Sequence, residues 1–119
     1  MAFRFEKLEI WIEANKYAGV IYEITKNFPK EEIFGLSDQL RRAANSIPAN
    51  IAEGSGSSSN KDFINYLNIA IKSTYETVSH IQRARDQNYI SEETKTKIYG
   101  QAEILVKMIQ KFKSWLKKR

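Results

Sequence analysis

The sequence predicts an all-α fold, an antiparallel up-down four-helix bundle, as one domain over residues 1–119. Three observations carry this. Apolar residues recur at steps of three and four along four long stretches, the spacing that lines one face of a helix. No stretch shows sustained alternation of apolar and polar residues, the pattern of a half-buried strand. The breakers Pro29, Gly35 and the Gly54–Ser58 run fall between those stretches.

The first helix is expected from Phe5 to Phe28, with a stripe of Leu8, Trp11, Ala14, Ala18, Ile21, Thr25 and Phe28. Pro29 ends it, because proline disfavours helical geometry in the residue before it. A connector from Pro29 to Gly35 follows. The second helix begins at Leu36 or Ser37 and ends at Glu53 or Gly54, with Leu36, Leu40, Ala43, Ala44, Ile47 and Ile51 inward. Pro48 lies inside it, removing one backbone donor and crowding the carbonyl four residues earlier. The stripe keeps its phase across Pro48, so a single helix kinked near Ala44–Pro48 is expected. Gly54-Ser55-Gly56-Ser57-Ser58 reads as a loop, its glycine free to take the left-handed conformation that ends many helices.

Ser59 and Asp62 resemble a capping box opening the third helix. Its buried face is Phe63, Leu67, Ala70, Thr74, Val78 (with Ile71) and Ile81; Lys61, Asn65, Asn68, Lys72, Glu76, Arg83 and Asp86 are solvated. Asn88-Tyr89-Ile90 makes the next turn. Ser91 caps the fourth helix, with Glu92 and Glu93 in its electropositive first turn. Ile98, Ala102, Leu105, Ile109, Phe112 and Leu116 then step by four and three, as in a coiled-coil seam.

Two helices are more apolar than an isolated bundle requires. Ile10, Tyr17 and Ile24 widen the stripe of the first; Ile104, Met108 and Trp115 do the same in the fourth. Soluble monomers rarely expose such flanks. These six residues are therefore the expected interface between copies of the chain, the alternative being a thick core against neighbouring helices. A repeated contact between unlike faces closes into a ring when the rotation allows.

Chemistry is sparse. Cysteine is absent, which excludes a disulfide framework, a thiol nucleophile and cysteine-held metals. The single histidine, His80, rules out a histidine-rich metal site within one chain. Glu31-Glu32 is explained by solvation of the connector and Glu92-Glu93 by capping. The Gly-Ser loop lacks the lysine and spacing of a phosphate-binding P-loop. No enzyme activity, metal or cofactor is expected. No apolar run approaches bilayer-spanning length and no secretory leader is visible, so no membrane partner is expected and the cytoplasm is the expected location.

The formal net charge is +5, and its distribution is uneven. Residues 1–60 hold 7 basic and 8 acidic side chains; residues 61–119 hold 12 and 6. Lys107, Lys111, Lys113, Lys117, Lys118 and Arg119 form an acid-free end. Such an end fits a polyanion partner, though it also complements the helix dipole. Gln39, Arg42, Ser46, Asn50 and Glu53 line one face of the second helix. They read as a hydrogen-bond network between helices or subunits, or as a recognition surface where Arg41 and Arg42 reach phosphates. Arg41, Arg42 and the six C-terminal cations are the candidate nucleic-acid-binding residues.

The string Phe34-Gly35-Leu36-Ser37-Asp38-Gln39-Leu40-Arg41-Arg42-Ala43-Ala44-Asn45-Ser46-Ile47-Pro48-Ala49-Asn50-Ile51-Ala52-Glu53-Gly54 resembles the signature of the 23S ribosomal RNA intervening-sequence proteins. The likeness extends to Leu8, Trp11, Ala14 and Phe28-Pro29 before it. After it come Asp62-Phe63, Leu67, Ala70, Ser73, Glu76 and Tyr89-Ile90. The chain departs at Ser57, where the family usually has arginine, at Lys72 for a glycine, and at Asp62 for a glutamate. The lost arginine weakens any phosphate contact at that loop. The resemblance implies a four-helix bundle assembled as a ring, typically a pentamer, with no enzymatic activity assigned. Related proteins are accessory factors of diversity-generating retroelements, binding a reverse transcriptase and nucleic acid through basic surfaces. The expected function is a non-enzymatic homo-oligomer that binds RNA or DNA. The alternative is a protein-interaction scaffold, such as an accessory factor docking a reverse transcriptase.

Overall fold

The computed structural model describes residues 3–119. It contains α1 (Glu9–Thr25), α2 (Leu36–Ser55), α3 (Asn60–Asp86) and α4 (Glu92–Lys117), with 3-10 turns at Arg4–Lys7 and Lys30–Glu32. No strand occurs among the described residues. Each helix packs on the next, and α4 returns to α1, the adjacency of an up-down bundle. The α1/α4 seam is the thinnest of the four. The bundle measures 46 × 26 × 21 Å.

The helical stripes form the core. Ala14, Ala18, Ile21, Leu40, Ala44, Ile47, Ile51, Leu67, Ala70, Ile81, Leu105 and Ile109 are almost wholly shielded from solvent. The cores of α2 and α4 follow the expected positions, with Phe112 half-buried at the end of the latter. On α3, Ser73 and Thr77 are buried while Val78 and Ile71 are only half-covered.

The first helix is shorter than its periodicity implies. Leu8 is extended (φ −78°, ψ 125°), so Phe5 belongs to the preceding 3-10 turn. At the other end the Thr25 hydroxyl donates to the Tyr22 carbonyl at 2.9 Å, and Phe28 follows in a turn, its amide bonded to the Thr25 carbonyl. Phe28 is still buried, its ring centroid 5.4 Å from that of Tyr89. The apolar period therefore outlasts the helix itself.

α2 runs continuously through the buried Pro48 and extends to Ser55. Its end does not use a left-handed glycine: Gly56 has φ −91°, and no described glycine has positive φ. Gly54 serves close approach instead. A Cβ there would lie 2.7 Å from Phe63 Cδ1 and 2.8 Å from Tyr66 Cβ, so only glycine lets α2 and α3 meet at this depth. The left-handed residue is Asn88 (φ 61°), which closes α3 with the Tyr89 amide on the Ala84 carbonyl at 2.9 Å. Both serine caps form: Ser59 accepts from the Asp62 amide at 3.1 Å, and Ser91 from the Thr94 amide at 3.0 Å. α2 is capped from outside, where Glu32 Oε1 accepts the Leu36 amide at 3.0 Å.

Ile10 and Tyr17, expected at an interface between copies, are buried inside the subunit. The Tyr17 hydroxyl shares a 2.7 Å hydrogen bond with Thr77 Oγ1, crossing from α1 to α3 through the core. A tyrosine on an apolar flank can satisfy its hydroxyl inside a bundle when the opposing helix supplies a polar partner. Sequence periodicity carries no sign of that pairing. Among the described residues, no buried side-chain nitrogen or oxygen lacks a hydrogen-bond partner.

Candidate nucleic-acid interface

The antiparallel chain path gathers the starts of α1 and α3 and the ends of α2 and α4 at one end of the bundle. Asn60 Nδ2 donates to the Leu116 carbonyl at 3.3 Å, and Arg4 Nη1 to the Ser55 carbonyl at 3.4 Å. Aromatic rings link these segments. Phe63 meets Phe112 edge-on at 5.5 Å, Phe112 stacks on Trp115 at 5.6 Å, and Phe5 meets Trp11 at 4.9 Å. The Arg4 guanidinium lies over Phe63 at 5.4 Å, and that of Arg119 over Trp115 at 4.3 Å.

Cations surround this aromatic cluster. Lys111, Lys117 and Lys118 are exposed, and among the described residues none has a carboxylate within ion-pair distance. Lys7 and Lys61 lie at the same end, equally exposed and unpaired. Neither is in the C-terminal charge run. Their signal was topological, because an antiparallel bundle must set the starts of the first and third helices beside the end of the fourth. Glu6, Glu9, Glu53 and Asp62 are the carboxylates at this end, and Glu9 lines a groove of about 450 Å³ between α1 and α4 with Leu8, Ile10, Met108, Lys111, Phe112 and Trp115.

The remaining candidate cations do not join this surface. Lys113 is half-buried and donates to Asn68 Oδ1 on α3 at 3.0 Å. Lys107 lines a separate α3/α4 groove of about 500 Å³ with Tyr75, Val78 and Tyr99. Arg41 and Arg42 sit on the first half of α2, at the far end of the bundle. Arg41 Nε donates to Thr25 Oγ1 at 2.8 Å, its guanidinium 4.9 Å from the Tyr22 ring centroid. Arg42 pairs with Asp38 of its own helix at 2.8 Å. Both arginines therefore have partners within the subunit: Asp38–Arg42 is an i,i+4 pair legible from spacing, whereas the Arg41 partners lie on α1.

The polar stripe on α2 divides likewise. Ser46 shares a 2.8 Å bond with Ser73 of α3, and Asn50 Nδ2 donates to the Ser46 carbonyl at 2.7 Å. Gln39, Arg42 and Glu53 are exposed. Its centre joins two helices; its ends face solvent.

The expected interface residues also separate. Ile24 and Met108 are half-buried against the core, whereas Ile104 is 61% and Trp115 45% exposed. Among the described residues, the most exposed large apolar one lies elsewhere: Phe34, 94% exposed, beside the exposed Ile33 on the α1/α2 connector. At that far end several charges are paired within the subunit. Glu92 accepts from Lys95 and Arg85, which hold its carboxyl below the usual glutamate range. His80 faces Glu76 one turn away, with Nε2 3.2 Å from Oε2. Among the described residues no three His, Cys, Asp or Glu side chains come together as a metal site, and no helix is long and apolar enough to cross a membrane.

A search of curated proteins finds no significant match. A crystal structure of a protein with unknown function from the S23 ribosomal protein family of Bacteroides thetaiotaomicron superposes with a TM-score of 0.77 at 29% identity. The likeness covers 87% of this chain and 97% of that one. The model of the 23S rRNA-intervening sequence proteins matches residues 6–111, from the 3-10 turn before α1 to the last turns of α4. With the bundle, its α2 signature and this match in hand, the chain belongs to the 23S rRNA-intervening sequence protein family.

Proposed function

We propose that the protein is a non-enzymatic, self-associating binding protein of the cytoplasm that holds RNA or DNA by its phosphates at the α4 end of the bundle. The carrying observation is the cluster of Lys111, Lys117, Lys118, Lys7 and Lys61, exposed and without carboxylate partners among the described residues. Lysines arranged in this way neutralise a phosphate backbone and release its counterions, giving affinity with steep salt dependence and little base preference. At the other end Arg41 is engaged by Thr25 and Tyr22, and Arg42, 79% exposed, pairs with Asp38 of its own helix, so neither joins the basic end.

Self-association is supported by the thin α1/α4 seam and by Ile104, exposed beside it. A ring, a pentamer among others, would bring several copies of the basic end onto one polyanion. The test is RNA retention in a salt titration, comparing the parent with Lys111→Glu/Lys117→Glu/Lys118→Glu, each with its mass measured by light scattering. Loss of retention in the variant at unchanged mass is expected; equal retention overturns the reading.

The second reading is a scaffold that docks another protein, such as a reverse transcriptase. Phe34 favours it, an almost fully exposed aromatic residue at the end away from the basic cluster.

A further inference from the structure

Resting on that reading, we infer that the basic end takes single-stranded nucleic acid, stacking an unpaired base on Trp115 between phosphates held by Lys111 and Lys118. Lys111 and Trp115 lie one turn apart on α4, and Lys118, three residues on, is its C-cap at φ −90° and ψ 0°, so the three follow one side of the chain to the helix end. The two lysines stand roughly 10 Å apart along the helix axis with the indole between them. This is an alternation of cation, aromatic ring and cation, on a ring 45% exposed.

The ring already stacks on planar groups. Phe112 lies against it at 5.6 Å with an interplanar angle of 28°, and the Arg119 guanidinium sits 4.3 Å from its centroid. A base has the same flat shape and takes the position the guanidinium holds, freeing Arg119 for the adjoining phosphate. Base–aromatic stacking tolerates any sequence, because every base has a π-face. A duplex offers no such face, its bases being stacked on one another.

Charge favours a polyanion over a second copy at this point. A ring contact joins unlike faces, so a copy would fit here only by presenting an acid-rich face, and a two-fold contact would set Lys111, Lys117 and Lys118 against their equivalents, where like charges repel. Glu9 lines the neighbouring groove and Glu6, Glu53 and Asp62 lie at the same end, but the last turns of α4, which carry Lys111, Lys117 and Lys118, hold no acid.

The test uses fluorescence anisotropy on the full chain with three labelled ligands: a mixed-sequence RNA strand, the same strand annealed to its complement, and an abasic strand of equal length. The parent should bind the single strand more tightly than either other ligand at one salt concentration. Trp115→Ala should weaken single-strand binding by roughly tenfold with an unchanged salt slope, as a lost stacking contact does. Trp115→Phe, which keeps a ring, should recover most of it, and binding should quench tryptophan emission in a Trp11→Phe background. Equal affinity for the three ligands, or equal binding by parent and Trp115→Ala, overturns the stacking inference while leaving phosphate binding standing. Failure of the parent to bind any strand at low salt overturns both.

Discussion

The Tyr89 hydroxyl donates to Glu32 Oε2 across 2.8 Å, while Oε1 of the same carboxylate accepts the Leu36 amide at 3.0 Å. One side chain of the first connector thus caps α2 and fastens the α3/α4 turn, 57 residues away in sequence. The Leu36 amide, and then the Tyr89 hydroxyl, hold the Glu32 carboxyl below its ordinary value of 4.5. The same bond pushes the Tyr89 hydroxyl up. Because the folded value is the lower one, this stabilisation is fully present above about pH 4.5 and is lost as pH falls through the folded value. Glu32→Gln should therefore lower Tm at neutral pH, with the gap to the parent closing on acidification. A gap that stays constant in thermal melts down to acidic pH would contradict the linkage.

Gly54→Ala tests the contact between α2 and α3. Alanine is the better helix former by about 1 kcal/mol, which alone would stabilise the helix. The added Cβ, however, would sit 2.7 Å from Phe63 Cδ1 and 2.8 Å from Tyr66 Cβ, a backbone-proximal atom with little freedom to yield. Overpacking of this kind costs about 1–3 kcal/mol, so a net loss should appear in denaturant unfolding. Gly19→Ala and Gly100→Ala, with nothing within 4 Å of the new methyl group, should be stabilising by about 0.5–1 kcal/mol. Equal responses at the three glycines would remove the close-approach account of Gly54.

The contrast at Gly54 also marks how far sequence reasoning reaches. Helical phase located the cores of α2 and α4 almost residue by residue, because a three-and-four repeat has one inward face. Serine caps were legible for a similar local reason: Ser59 and Ser91 serve amides three residues away. Interactions between distant segments were not. The Tyr17–Thr77 and Glu32–Tyr89 bonds leave no periodic trace, so Tyr17 read as apolar surface and Glu32 as solvated charge. The candidate site was half-legible. Lys111, Lys117 and Lys118 stood out as a charge run, while Lys7 and Lys61 join them only once the helices are folded side by side.

Tyr17 gives an alkaline counterpart to Glu32. Burial is the larger influence on its hydroxyl and pushes it up from 10.0 to about 12, the bond to Thr77 offsetting part of the rise. Here the folded value is the higher one. The stability is complete below pH 10 and drains away between about 10 and about 12, as the unfolded chain ionises first. Tyr17→Phe should flatten that alkaline limb. At neutral pH it should cost about 0.5–1.5 kcal/mol for the lost hydrogen bond, since Thr77 still donates to the Thr74 carbonyl at 2.6 Å. Unfolding curves recorded across this pH range would expose an error in either sign.

Salt dependence separates lysines that touch phosphate from those that do not. Each neutralised phosphate contributes roughly 0.7–0.9 to the slope of log affinity against log salt. Replacing Lys111, Lys117 or Lys118 singly by alanine should therefore lower the slope by close to one phosphate. Lys113→Ala should change it little, because its ammonium group is engaged by Asn68 at 3.0 Å. A slope that drops equally for Lys113 would extend the interface along the side of α4 that faces Asn68.

Phe34 allows folding and association to be read apart. Its ring is 94% exposed, so its removal forfeits almost no core burial, and Phe34→Glu should unfold within about 0.5 kcal/mol of the parent. The connector beneath it is held independently: the Ile33 amide bonds to the Lys30 carbonyl, the Gly35 amide to the Glu32 carbonyl, and Glu32 to Leu36 and Tyr89. With the backbone of the connector already held, less chain freedom is lost when a partner docks on the exposed ring. If Phe34 is a docking point, Phe34→Glu should shift the mass seen by light scattering or abolish capture of a protein partner, with RNA affinity per subunit preserved. If it has no such role, mass, capture and RNA affinity should all match the parent. A variant that weakened RNA binding in proportion to its loss of mass would mean that assembly creates the polyanion site, joining the two ends of the bundle in one function.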